Sequence, residues 1–420
     1  MMRILIFSIN YWPEVTGIGA FTTYRAEYLA GAGHEVDVCT AFPYYPEWRV
    51  APEYAGKFWM NERHKGVNVR RGYTYVPKKV TSRRRILHES SYIVTSLLKA
   101  LRCKKPDVLL VVSPPLGLAF NAILLSKLWQ IPYVFDVEDL QPDSAVEHGM
   151  LPDWISRLLY KVESAAYRSA ALVTTLTAGM RDRIISKGVA PEKVTLVEPR
   201  MDDALVLIDA EEGRRFRSKY GIQDQFLVTY SGNVGVKQAL DVVVEAATLS
   251  HTDASTLFLI VGDGSDKTRI EQMVLERKLT NVLFLPLLDE ADFRGLLSAS
   301  GACVVTQRKS ASEIAFPSKV VTYLGAGCAV VVSANSDSEV AETIRESGGG
   351  MVCAAEDGEA LLQTIEQLKN SDLKELRHRA REYASQRWSS ERVLRCLERN
   401  LKSAVTPDTS ALVPDHLIRR

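Results

Sequence analysis

The chain lacks the pieces from which metal enzymes and disulfide scaffolds are built. Its 420 residues contain no Asp-x-Asp pair and no His-Glu-x-x-His run. The six cysteines, Cys39, Cys103, Cys303, Cys328, Cys353 and Cys396, are scattered with no pair at metal-ligand spacing. Reduced, buried thiols are therefore expected, and a metal hydrolase is not. Long apolar runs are missing as well. Residues 116–125 are apolar but the run ends at Lys127, short of the roughly 18 residues of a membrane span. The apolar stretch 4–9 is too short for a secretory signal. A cytoplasmic protein, soluble or peripheral on the inner membrane face, is expected.

Net charge is almost absent, +1 from 52 basic and 51 acidic residues. The balance hides an asymmetry. Residues 57–105 hold fourteen Lys and Arg against Glu62 and Glu89, so this segment carries +12 and the rest of the chain −11. Such a block is a candidate surface for an anionic lipid or a nucleic acid, or a solvated face answered by acids elsewhere.

What is present is a rhythm. In the first half, strand-like runs at 3–9, 35–41, 67–76, 108–112, 133–137, 172–176 and 194–197 alternate with helical patterns at 20–30, 86–102, 118–129, 154–168 and 178–187. A second series of the same kind begins at residue 226, after a polar stretch at 200–225. Alternation of this type predicts parallel sheets with helices on both faces. The expected organisation is α/β: a domain at 1–200, a second at 201–385, a helix at 386–402 that packs back on the first, and a tail at 403–420. Residues 42–65, rich in Pro and aromatics, break the rhythm and are expected to form a functional loop.

The stretch YWPEVTGIGAFTTY at 11–24 raises the possibility of a dinucleotide turn. Seven residues separate the strand end from Gly17, and the third glycine position is Thr22, so the NAD fingerprint fails. Gly17 and Gly19 are expected instead on a longer loop, open to a ligand. In the second half, YSGNVGVKQALD runs off a strand through Gly232 and Gly235 with Lys237 at an expected helix start. FPSKVVTYLGAG places Ser318 and Lys319 at another helix start. Two helix N-termini with a lysine each suit a diphosphate. IVGDGSD is a third strand with a glycine turn, and FLPLLDE ends a fourth strand with backbone groups suited to a base.

In this order the motifs resemble the retaining GT-B glycosyltransferases of family 4 over nearly the whole chain. The matching pieces are Tyr11-Trp-Pro-Glu with Gly17-x-Gly19, DVEDLQPDS at 136–144, GNVGVKQ, VGDG and PSKVVTYLGAG. The combination is most similar to the branch that builds bacterial exopolysaccharide and O-antigen units, with fucosyl and fucosaminyl transferases among them. The resemblance implies two Rossmann-like domains facing each other across a cleft. It implies transfer from a UDP- or GDP-sugar to a polyprenyl-diphosphate-linked saccharide, with no cofactor, no metal and no nucleic acid.

Carried over by position, Lys237 and Lys319 bind the diphosphate, with Ser318, Gly232, Asn233 and Gly262 around it. The base sits near Leu287 and Leu288, and Gly17 and Gly19 admit the donor to the first domain. Two departures stand out. Where the family has a pair of glutamates eight residues apart, this chain has Ile314, with Glu313 beside it, and Thr322. Where the family often has a histidine, this chain has Glu138 before Asp139. Glu138 and Asp139 are the candidates to orient or deprotonate the acceptor hydroxyl. The basic segment, with Phe58, Trp59, Tyr73, Tyr75 and Tyr92, is expected to meet an anionic membrane. The competing readings are a nucleotide-sugar 2-epimerase of the same architecture and an inactive transferase-like partner in a polysaccharide assembly complex.

Overall fold

The computed structural model describes residues 1–14, 17–147, 153–310 and 316–406. The chain divides into two compact units, Met1–Glu198 with Leu394–Arg420, and Pro199–Val393.

The first unit is an eight-stranded sheet: β1 (Arg3–Phe7), β2 (Glu35–Ala41), β3 (Trp59–His64), β4 (Val67–Gly72), β5 (Val108–Ser113), β6 (Tyr133–Val137), β7 (Leu172–Thr175) and β8 (Val194–Leu196). Their order is β3-β4-β2-β1-β5-β6-β7-β8. All pairs are parallel except β3 with β4. Central strands such as β5, VLLVVS, are buried at every residue, as expected of a parallel sheet covered on both faces. The helix Ser390–Val405 belongs to this unit from Leu394 onward. Glu398 accepts from Tyr28 and pairs with His34, and Asn400 donates to Thr195. Residues 407–420 of the expected tail lie outside the described residues.

The second unit has six strands, β9 (Phe226–Ser231), β10 (Thr256–Val261), β11 (Val282–Leu285), β12 (Ala302–Thr306), β13 (Val330–Ser333) and β14 (Gly350–Cys353). The order is β11-β10-β9-β12-β13-β14, with every pair parallel. Alternate residues serve opposite faces. Val304 and Val331 join one core cluster, while Val305, Val330 and Val332 join the other. In both sheets the first strand lies between neighbours reached in opposite directions, β1 beside β5 and β9 beside β12. Ligands in doubly wound sheets bind beyond the strand ends at these points.

Three expectations are corrected. The segment 42–65 is not all loop, because its end forms the antiparallel edge strand β3. The helix expected at 86–102 starts earlier, at Ser82, because the Thr81 side chain accepts from Arg84 N and caps it. Tyr92 does not face outward. It is fully buried, with its hydroxyl donating to the Cys39 carbonyl at 2.8 Å. Trp59 is half-buried and covered by Lys99 and Arg102, whose charges lie 5.2 and 5.7 Å from its ring.

Candidate functional site

In the second unit, two glycine turns continue the sheet's hydrogen bonding past its edge. Gly232 N donates to the Val261 carbonyl at 2.9 Å and Val234 N to the Asp263 carbonyl at 2.8 Å. The turns lie backbone against backbone. A Cβ at Gly262, whose φ is +134°, would stand 2.0 Å from the Gly232 carbonyl oxygen. Gly262→Ala is therefore expected to lower stability by about 2 kcal/mol or more, checked by urea unfolding. An unchanged midpoint would refute the contact.

The Gly232 turn, at φ +136°, leaves room for Lys319, whose Nζ would lie 3.6 Å from a Cβ there. Lys319 stands in the first turn of the helix Ser318–Gly325, whose N-cap, Pro317, supplies no side-chain bond to the free N–H groups. Its Nζ donates to the Tyr230 hydroxyl at 2.7 Å and sits 4.0 Å from the Tyr230 ring centre. The same hydroxyl donates to the Asn233 carbonyl at 2.6 Å, so Tyr230 ties the lysine to the turn. Tyr323, on the same helix, accepts from Ser231 N and donates to its carbonyl, locking the helix to β9. Among the described residues no carboxylate pairs with Lys319, and burial pulls its ammonium down to about 8.

Lys237 is placed differently from expectation. It is exposed in a short 3-10 turn, Val236–Gln238, and the helix starts only at Leu240, after Ala239 at φ +50°. Arg308 braces this turn. Its Nε donates to the Val236 carbonyl at 3.1 Å while its other nitrogens grip Asp241 at 2.8 and 2.9 Å. Neither Tyr230 nor Arg308 was singled out from the sequence. Their only sequence signal is position, the one on β9 just before the glycine turn and the other two residues past β12.

Of the remaining donor-side candidates, Ser318 and Asn233 are exposed. Leu287 is 74% exposed beyond β11, while Leu288 packs into the core beside it. Thr322 lies one turn along from Ser318 and is half-buried. Glu313 and Ile314 lie outside the described residues.

In the first unit, Gly17 and Gly19 are not on a loop. The helix Gly17–Gly31 begins at Gly17, so both occupy its first turn, where backbone N–H groups lack helical partners. Gly19 is also a packing requirement, because a Cβ there would lie 3.0 Å from Glu14 Cβ. Glu14, buried, gathers the loops at this edge. One oxygen accepts from Tyr44 N and Tyr45 N at 2.8 Å, the other from Asn10 Nδ2 at 2.9 Å. His88 donates through Nδ1 to the Tyr75 carbonyl and accepts the Tyr44 hydroxyl, and burial lowers its pKa, which favours the neutral ring.

The two acids after β6 part company. Glu138 turns inward, its side chain 3% exposed, against the buried Arg25. The same guanidinium reaches Asp136 at 2.6 Å, and Thr174 donates to the other Asp136 oxygen at 2.6 Å. Burial raises the Glu138 carboxyl to about 7, with Arg25 opposing the rise and Asp136 adding to it. Glu138 therefore does not stand at the surface as expected. Asp139, the next residue, is exposed at the carboxyl edge, and its carbonyl accepts from Gln141 N.

Residues 16–200 match the family model of the glycosyl transferase 4-like domain, and residues 213–387 that of the glycosyl transferases group 1. Over 409 residues the chain is 35% identical to a protein named for colanic acid biosynthesis, the glycosyl transferase WcaI of Escherichia coli (strain K12), covering 94% of this chain and 98% of that one. Its fold matches Anabaena HepE, solved in complex with UDP, at a TM-score of 0.72 and 16% identity, over 96% of this chain and 100% of that one. Sucrose-phosphate synthase of Thermosynechococcus elongatus matches at a TM-score of 0.73 and 16% identity, over 97% and 100%.

Two doubly wound units of this kind define a GT-B protein. More particularly, the chain belongs to the family-4 glycosyltransferases, a retaining family.

Proposed function

We propose that this chain transfers a hexose-type sugar from a nucleotide diphospho-sugar, UDP- or GDP-linked, to a lipid-linked saccharide in bacterial exopolysaccharide or O-antigen assembly. The observation that carries the donor side is Lys319. It is a desolvated cation with no carboxylate partner among the described residues, tied by Tyr230 to a glycine turn at the edge of the second sheet. An anion completes such a site, and a diphosphate also engages the free N–H groups of the Ser318–Gly325 helix. Lys237 supplies a second, exposed charge, and the backbone near Leu287 faces the base. Charge developing on the departing diphosphate falls on these two lysines, the kind of electrostatic stabilisation that is commonly the largest catalytic contribution.

The acceptor belongs to the first unit in this reading. Asp139, exposed beyond β6, orients the acceptor hydroxyl, and Glu138 holds the loop from within through Arg25. The name of the Escherichia coli relative supports a role in exopolysaccharide synthesis, and the UDP bound by HepE supports a nucleotide diphosphate.

The test is thermal-shift binding of UDP, GDP and TDP and their sugar conjugates to wild type and Lys237→Ala. One nucleotide is expected to raise the melting temperature of the wild type and to do so less in the variant. Asp139→Asn is expected to keep that shift while losing transfer. No shift with any nucleotide in the wild type would sink the donor site and favour an inactive partner. Conversion of the sugar nucleotide without acceptor would favour an epimerase.

A further inference from the structure

The connections from β4 to β5, β5 to β6 and β6 to β7 all advance the same way across the first sheet. Right-handed crossovers therefore lay the helices Ser82–Ala100, Leu118–Trp129 and Asp153–Ser169 on one face, opposite Gly17–Gly31. They form one layer. Asn121 donates to the Ile93 carbonyl at 2.9 Å and to Ser96 at 3.1 Å, and Leu118–Trp129 also packs against Asp153–Ser169.

Helices that cover a sheet ordinarily turn a polar face outward. These do not. On the middle helix Phe120, Leu124 and Leu128 recur at four-residue spacing, exposed by 61, 50 and 60%. Leu87, Val94 and Leu98, at seven- and four-residue spacing, are exposed on one side, and Trp154, 68% exposed, with Leu158 on the other. Exposed apolar side chains on three neighbouring helices of one layer mark an interaction site.

Charge selects the partner. Arg83, Arg84 and Arg85 fill the first turn of the first helix, which holds no acid there, although cations at a helix N-terminus oppose its dipole. Lys127, Arg157 and Lys161 are exposed among the apolar residues, and Glu89 is paired with Arg85 at 3.0 Å. A second copy of the chain would present the same cations. An anionic bilayer offers phosphates to the cations and acyl chains to the apolar side chains. Helices in such a layer run opposite to the strands, so the three arginines lie toward the sheet edge that carries Asp139.

We propose that this three-helix face seats the protein on an anionic lipid bilayer. Phe120, Leu128 and Trp154 enter the boundary between headgroups and acyl chains, and the arginine cluster meets lipid phosphates. The surface extends well beyond the basic segment 57–105. Among the described residues no helix is long and apolar enough to cross a membrane, so the contact is one of seating rather than spanning. The inference rests on the proposed lipid-linked acceptor, which stays in the bilayer while its sugar is extended.

The test is co-sedimentation of the full chain with phosphatidylglycerol–phosphatidylcholine vesicles and with phosphatidylcholine vesicles alone, at low and high salt. The wild type is expected to partition onto the anionic vesicles, less so at high salt. Phe120→Ser with Leu124→Ser is expected to lose about tenfold or more of that partitioning. The double variant should keep the wild-type melting temperature and nucleotide shift, which report on folding and on the second unit. Wild type that stays in solution, or a double variant that partitions equally well, would overturn the proposal. So would a wild-type dimer that the same substitutions disperse, since that makes the occupant a second copy. Loss of the nucleotide shift alone, with vesicle binding intact, would count against the transferase reading and leave the membrane seat standing.

Discussion

Lys319→Ala is expected to reduce sugar transfer by about 10²–10³-fold. The side chain lies against the Tyr230 ring, with the Tyr230 hydroxyl as its hydrogen-bond partner and no carboxylate paired with it among the described residues. Burial therefore makes its charge costly, and its pKa falls to about 8. In the proposed site a bound diphosphate would supply a counter-charge and favour the protonated form. Donor kcat/KM is accordingly expected to fall as pH rises through about 8, because that parameter follows the free enzyme's ionisation. Lys319→Arg stays charged over this range and should remove the high-pH limb, whatever its effect on the absolute rate. A Lys319→Ala variant that melts lower but keeps wild-type donor kinetics would reduce the lysine to a structural role.

Arg25→Met is expected to destabilise the first unit by about 3–5 kcal/mol at pH 8, read as a lower urea midpoint. The substitution removes the cation that answers two buried carboxylates, Asp136 and Glu138. The pH dependence follows from Glu138, whose pKa is raised from 4.5 to about 7, chiefly by burial. Between those values the folded state holds a proton that the unfolded state releases. This group's contribution to stability is therefore fully present below about 4.5 and is lost as pH rises through about 7. Without Arg25 the folded carboxyl rises further, so the variant's deficit should widen at alkaline pH and narrow near pH 4.5. Glu138→Gln should flatten the wild-type dependence across this window. A variant with the wild-type midpoint at pH 8 would show that the Arg25 cluster contributes nothing to the fold.

Much of the architecture was legible because parallel strands buried on both faces appear as unbroken apolar runs. The helix Leu118–Trp129 was read at its observed bounds for a related reason, since apolar residues on both its inner and outer faces stand out against the polar turns around it. β3 was missed because an edge strand with the sequence WMNERH leaves several side chains to solvent and carries no such run. The start of the Ser82–Ala100 helix was misplaced because three arginines in a first turn do not look like a helix N-terminus. Only the Thr81 cap reveals it.

The sequence by itself determined two series of strands and helices, the glycine turns at Gly232 and Gly262, and lysines near the carboxyl edge of the second sheet. These depend on periodicity and on neighbours a few residues apart, which a linear chain displays. Tertiary structure alone decided what each charged group experiences. Glu138 and Asp139 are adjacent in the chain, yet one is buried because Arg25, 113 positions away, lies beneath it, while the other reaches solvent. Lys319 is desolvated and held against Tyr230, 89 positions away. Likewise, three helices separated in the chain share one apolar face only because the sheet's topology lays them side by side. Desolvation and charge pairing act over a few ångströms of space, and that proximity is created by folding.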